Sequence, residues 1–443
     1  MCHGSLFSKL LRFSLPLILS GILQLLFNAA DLIVVGNYSS HQALSAIGAV
    51  GSLINFFVNL IIGISVGSNV VVARNYSVGN KEAVGKAVHT SILTALLAGL
   101  FVGLLGVLFS RPILKLMDTP ADVIELSALY VMIYFAGLPF SMLYNFGSSI
   151  LRAVGDTKRP LFFLSLAGVF NVGLNLLFVT QCHMSVEGVA LATLLSQALS
   201  AILVMRCLIK SEGLYKLSIS ALHIDRKTLQ QILGIGLPAG IQSVIFSISN
   251  ILIQSSINFF GSVAMAGNTA ASSVESFVYT SMNAVYQTNL SFSSQNYGIG
   301  NYKRMRKCLL YCFLIVTAVG LLMGCGAYLF SSNLVALYNH DPEVVVYGIG
   351  RCKVICTTYC LCGIMEVICG SLRAMGYGIL PMVVSLIGAC GLRVLWILTY
   401  FQSHHTLNVL YSSYPITWTI TILAHLISFL IVSRHLPKTD ASV

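Results

Sequence analysis

The sequence predicts an all-α membrane protein with twelve transmembrane helices in two six-helix bundles, related by a pseudo-two-fold axis along the membrane normal. Three observations predict it. Of the 443 residues, 56% are hydrophobic and only 9% are charged, too few charges to cover a soluble chain of this length. Apolar runs of about 20 residues, the length that spans a bilayer, recur along the whole chain. Short motifs also return roughly 221 residues later.

In the first half the spans are read near 11–36, 44–70, 90–110, 126–150, 161–181 and 188–205. In the second half they are read near 233–259, 264–292, 308–330, 354–371, 380–401 and 409–433. With the N-terminus placed inside, 20 of the 25 Lys and Arg residues fall in inside segments or at inner span ends. Arg111, Lys115, Arg351 and Lys353 fall in outside loops, and Arg393 within a span. Basic residues collect on the cytoplasmic side, so both termini are expected to be cytoplasmic in a multi-pass protein of the cell (inner) membrane. The same bias accounts for the net charge of +11 without a nucleic-acid partner. The run after Arg12 lacks a small-residue cleavage site and is long enough to span, so no cleaved leader is expected. Most of the 12 Cys lie in apolar runs, where the thiol serves as a small hydrophobe. Cys352, Cys356 and Cys360 share a helical spacing but lack a second ligand cluster, so no metal site is expected.

The repeat ties the spans together. Leu15-Pro16 returns as Leu237-Pro238, and Asn75-Tyr76-Ser77-Val78-Gly79-Asn80 as Asn296-Tyr297-Gly298-Ile299-Gly300-Asn301. Arg152-Ala153-Val154-Gly155 returns as Arg373-Ala374-Met375-Gly376, followed by Pro160 and Pro381. These matches divide the chain into bundles of residues 1–220 and 221–443. Six spans per half is an even number, so both halves enter the membrane the same way round. A cleft between the two bundles at the midplane is then expected.

Only three of the 14 acidic residues fall within spans: Asp31, Glu275 and Glu366. A charge at mid-membrane costs about 2.5–3.5 kcal/mol on insertion scales, which makes each a functional candidate. Asn28 precedes Asp31 by three residues on one helical face, and Asn171 and Asn175 share a face of span 5. With a hydroxyl from Thr193, these groups suggest an oxygen-lined pocket suited to a monovalent cation, or to a proton on Asp31. The alternative is interhelical hydrogen bonding alone. In the second half, Glu275 lies in span 8, while Glu366 and Arg393 flank one inside turn, a placement that suits either an ion pair across neighbouring helices or a substrate contact. These three are candidates for a substrate cleft or for a structural role.

The paired six-span halves and Leu-Pro opening spans 1 and 7 resemble the multidrug and toxic compound extrusion family. So do Asp31 followed by Gly36, the Asn75–Asn80 motif, Arg152 to Thr157, and the Gly188-Val189-Ala190-Leu191-Ala192-Thr193 run. The resemblance covers nearly the whole chain. It implies a secondary active exporter that antiports organic cations or amphipathic drugs against Na⁺ or H⁺, without a cofactor. Its partners would be small-molecule drugs or toxic metabolites and the lipid bilayer, and the protein is read as a monomer. Span 7 carries no carboxylate, which is similar to the DNA-damage-inducible (DinF-like) branch. In the first-half site, Asp31, Asn171 and Thr193 match the family pattern, whereas Asn175 stands where some members carry a second acid.

The alternative is a flippase for a lipid-linked oligosaccharide or peptidoglycan precursor. Such cavities need several cations for a pyrophosphate, and Arg393 is the one basic residue read as well inside a span. No phosphate-binding loop and no nucleophile–base set is present, so the protein is not expected to be an enzyme.

Overall fold

The computed structural model describes residues 1–38, 41–117 and 119–437. Their helices are α1 (Leu6–Tyr38), α2 (His41–Ser77), α3 (Lys81–Leu116), α4 (Ile124–Ala136), α5 (Leu138–Ala153), α6 (Lys158–Leu176) and α7 (Val186–Lys210). Then follow α8 (Arg226–Asn258), α9 (Ser262–Gly298), α10 (Tyr302–Leu329), α11 (Ser331–Ala336) and α12 (Pro342–Ala374). The last are α13 (Ile379–Ser385), α14 (Leu392–Leu398), α15 (Tyr400–Ser403) and α16 (Leu407–Arg434). Two π-helical segments interrupt the pattern, Leu177–Gln181 after α6 and Leu386–Gly391 between α13 and α14. At 1.5 Å per residue, helices such as α2 and α9, 37 residues each, exceed the hydrocarbon core and extend into the headgroups.

Among the described residues, 10 helical stretches are each long and apolar enough to cross a membrane. The pair α4 and α5 passes the same test together and is bent by 44° at Gly137. Pro139 explains the bend, because it lacks a backbone N–H and its ring clashes with the carbonyl four residues back. The twelfth span is α9. Its run of Ser, Asn and Ala is too polar for lipid, yet most of its side chains are buried against protein. A helix enclosed by neighbours has no need of a lipid-soluble surface, and small side chains let those neighbours approach closely.

The chain divides into two compact units with an exchange of leading segments. The N-terminal unit is Ile22–Leu233, and the C-terminal unit is Met1–Gly21 with Gly234–Val443. In the N-terminal unit, α3 lies along α4 and α5, while α7 packs on α5 and α6. In the C-terminal unit, α9 and α12 form the centre, flanked by α10 and α16.

The repeated motifs have local causes. Gly79 and Gly300 both sit at φ 73°, a left-handed turn open to glycine. The next residue caps the following helix: Asn80 Oδ1 accepts from the Ala83 N–H at 3.0 Å, and Asn301 Oδ1 from the Arg304 N–H at 2.9 Å. Gly155 and Gly376, at φ 102° and 93°, end the helices before Pro160 and Pro381 in the same way. Close helix contacts repeat as well. A side chain on Gly103 would meet the Phe135 carbonyl, and one on Gly324 would meet that of Cys356. Within each unit an asparagine also ties helices together: Asn69 Nδ2 donates to Ser149 O at 3.0 Å, and Asn289 Nδ2 to Val367 O at 2.7 Å.

Candidate coupling site in the first half

In the N-terminal unit, three of the five residues named for a first-half pocket meet. Asn175 Nδ2 donates to Asp31 Oδ1 at 2.5 Å and to Asn171 Oδ1 at 3.2 Å. Asn171 and Asn175 are buried, and Asp31 is half-buried. The four-residue spacing on α6 brings both amides to one face, as helical geometry requires. Asn28 and Thr193 lie apart from this cluster. Asn28 is exposed, and neither side chain hydrogen-bonds to the other three.

The reason Asn28 turns away lies one turn below the carboxylate. Phe27, four residues before Asp31, faces α6, so the contact line on α1 runs through Phe27 and Asp31 and leaves Asn28 to the side. Gly168 receives that ring: a Cβ there would overlap the Phe27 side chain. Gly168 precedes Asn171 by three residues, so the close approach at Gly168 sets the reach from Asn175 to Asp31. Tyr130, buried on α4, lies within electrostatic reach of the Asp31 carboxylate. Phe27, Gly168 and Tyr130 escape a reading confined to charges and amides. The signal available was spacing, since Phe27 and Gly168 stand one turn before Asp31 and Asn171.

The site is rich in acceptors. Asn175 commits its amino group to two oxygens, and its own Oδ1 is buried with no hydrogen-bond donor. A buried carbonyl oxygen without a donor is uncommon and calls for a partner. With a carboxylate adjacent, a cation or an acidic proton satisfies both groups at once.

The second-half candidates are arranged differently from the sequence expectation. Glu366 and Arg393 do not pair. Instead Glu275 on α9 is gripped by Arg351 on α12, with Nε to Oε1 and Nη2 to Oε2 both at 2.8 Å. Arg351 Nη1 also donates to Asn268 Oδ1 at 2.6 Å, and the guanidinium lies beside the Tyr411 and Tyr414 rings. Arg351 is therefore a buried helical residue rather than part of an outside loop. Asp341 caps α12 at the Glu343 N–H, and Pro342 occupies the first turn, so the helix begins well before the apolar run. Glu366 has Arg373 and Tyr279 as its charged and polar neighbours. Arg393 is buried against the ring of Tyr414.

Duplicated bundles of membrane-spanning helices, with a carboxylate–amide cluster inside one of them, define a polytopic membrane transporter. The chain belongs to the MatE family, whose pattern matches residues 16–177 and again 238–399. That is a family of secondary transporters, not enzymes, and the double match reproduces the internal repeat at an offset of 222 (238 − 16). Two relatives are probable multidrug resistance proteins of Bacillus subtilis. One is 26% identical over 95% of this chain and 92% of its own length, the other 29% identical over 90% and 88%. The fold is that of a solved outward-facing multidrug resistance transporter of the same family, with TM-score 0.91, 20% identity, and 98% of each chain covered.

Proposed function

We propose that the protein is a secondary active exporter that antiports organic cations or amphipathic drugs against Na⁺ or H⁺, with the coupling ion read at Asp31. The observation that carries this reading is the Asp31–Asn175–Asn171 cluster, which leaves the buried Asn175 Oδ1 without a donor. An ion entering there binds the carboxylate and the free oxygen together. A proton neutralises the same carboxylate, so either ion changes the charge that α1 carries. Coupling follows when drug affinity differs between the two charge states. The multidrug names of the Bacillus subtilis relatives support the substrate class. The absence of a carboxylate from α8 supports the DinF-like branch, whose coupling rests on the first half. The basic-residue bias supports cytoplasmic termini, and we infer a monomer in the cell membrane.

The test is transport by purified protein in liposomes, with Na⁺ and H⁺ gradients imposed one at a time and efflux of the cationic dye rhodamine 123 recorded. One of the gradients should drive the dye out against its concentration difference. Dye movement indifferent to both gradients would reject secondary antiport.

A further inference from the structure

We propose that Arg393 binds an anionic oxygen group (a carboxylate, sulfonate or phosphate) of the amphipathic molecule that the protein exports. This rests on the export reading above and narrows its substrate class.

The charges buried in the C-terminal unit do not balance. Arg351 is matched by the carboxylate of Glu275 through two hydrogen bonds. Arg373 donates Nη1 to the Tyr286 hydroxyl at 2.7 Å and Nη2 to Gln242 Oε1 at 2.8 Å, with Glu366 as its electrostatic neighbour. Arg393 is left over. It is 3% exposed, its Nε has no acceptor, and it makes no hydrogen bond or ion pair among the described residues. Its guanidinium carbon lies 4.1 Å from the centroid of the Tyr414 ring. A ring face recovers only part of the hydration that a buried cation loses. The missing component is an acceptor, and the guanidinium fork fits a planar or tetrahedral oxyanion.

The repeat gives the position a second meaning. Pro160 and Pro381 are equivalent, and Asn171 follows the first by 11 residues while Arg393 follows the second by 12. The π segment Leu386–Gly391 lies in between, and its i→i+5 hydrogen bonds enclose one residue more than an α turn. Arg393 therefore holds in its half the place that Asn171 holds in the first. The family match agrees, since its far ends are also 222 apart (399 − 177). One position thus serves an acceptor cluster in one half and an unmatched donor in the other. The first suits the coupling cation and the second an anionic cargo.

The experiment compares two dyes on one ring scaffold, anionic fluorescein and cationic rhodamine 123, by fluorescence anisotropy with the purified full-length protein in detergent. Fluorescein should bind the wild type, and Arg393→Gln should weaken it by about tenfold to hundredfold, the worth of a charge-assisted hydrogen bond. Rhodamine 123 affinity should not fall, and a melting temperature no lower than that of the wild type shows the variant to be folded. Arg393→Met keeps the stem beside Tyr414 and should lose fluorescein equally. Either variant removes an unmatched buried charge, so both should be at least as thermostable as the wild type. Unchanged fluorescein affinity in the variants, or none in the wild type, overturns the proposal. Nanodiscs of phosphatidylcholine and of phosphatidylglycerol separate the sources of the oxyanion. Equal fluorescein binding in both supports an exported molecule, whereas binding abolished only by phosphatidylglycerol assigns Arg393 to a lipid headgroup and overturns it. Wild-type fluorescein binding that survives when neither gradient drives rhodamine 123 would reject antiport of cationic dyes and leave the site standing.

Discussion

Asp31→Asn isolates charge from shape. The new amide is isosteric, and its Oδ1 accepts from Asn175 Nδ2 as the carboxylate does. The geometry around Asn171 is therefore kept, and the variant sheds an insertion cost of about 2.5–3.5 kcal/mol. Folded stability should match or slightly exceed that of the wild type. What is lost is the attraction for a cation. At about 4 Å and an effective dielectric of about 20, a carboxylate and a monovalent cation attract by about 4 kcal/mol, close to a thousandfold in affinity. A carboxamide also takes up no proton near neutral pH, so the proton route closes together with the sodium route. The assay is gradient-driven rhodamine 123 efflux from liposomes, normalised to protein that retains the wild-type melting temperature. Efflux should fall to the rate of empty liposomes under either gradient. Efflux at the wild-type rate from a normally folded Asp31→Asn protein would refute the first-half coupling site and move attention to Glu275 and Glu366.

Two further perturbations probe the packing that holds these groups. Glu275→Gln leaves Arg351 buried without its carboxylate and should destabilise the protein by about 3–5 kcal/mol, read as a lower melting temperature. Replacing both partners, as Glu275→Leu with Arg351→Met, should recover most of that loss; a double variant no better than the single would argue that the pair has a role beyond packing. Gly168→Val places a branched side chain where the Phe27 ring sits. It should separate α1 from α6 and abolish cation-dependent protection of Asp31 from a carboxyl-modifying reagent, while Gly173→Val, with open space at its Cβ, should not.

How much of this was legible in advance depends on how local each cause is. The Gly79-Asn80 and Gly300-Asn301 turns are written in adjacent residues: a glycine for positive φ and an amide for the cap. The repeat they form is visible without any structure. Asp31, Asn171 and Asn175 were legible because lipid makes every buried polar group conspicuous. Arg351 is hidden from hydropathy for the converse reason. A span is recognised by average hydropathy, and the charges of Glu343, Arg351 and Lys353 depress that average at the start of α12. The compensation for Arg351 comes from Glu275, 76 positions earlier, and from rings on α16. Such partners are set by tertiary packing, which periodicity along one helix does not report. The position of Asn28 is set by tertiary packing too. Sharing a face with Asp31 does not decide which edge of that face meets α6, and the Phe27 ring against Gly168 settles it.

The exchanged leading segments bear on the order in which the protein assembles. Met1–Gly21 belongs with chain that resumes only at Gly234, so 212 residues (22 to 233) are synthesised before its native neighbours exist. Phe13, for instance, meets Phe292 edge to face at 5.4 Å. During biogenesis the first span must therefore wait in the bilayer with one end unpaired. Its composition tolerates the wait, because lipid tails solvate Leu and Phe as well as a neighbouring helix does, and its mean hydropathy of 2.0 keeps it inserted. The native pairing then closes late, when the second half emerges. A ribosome-stalled nascent chain ending near residue 233 would hold the Asp31 site nearly complete while the Phe13 face still touched acyl chains.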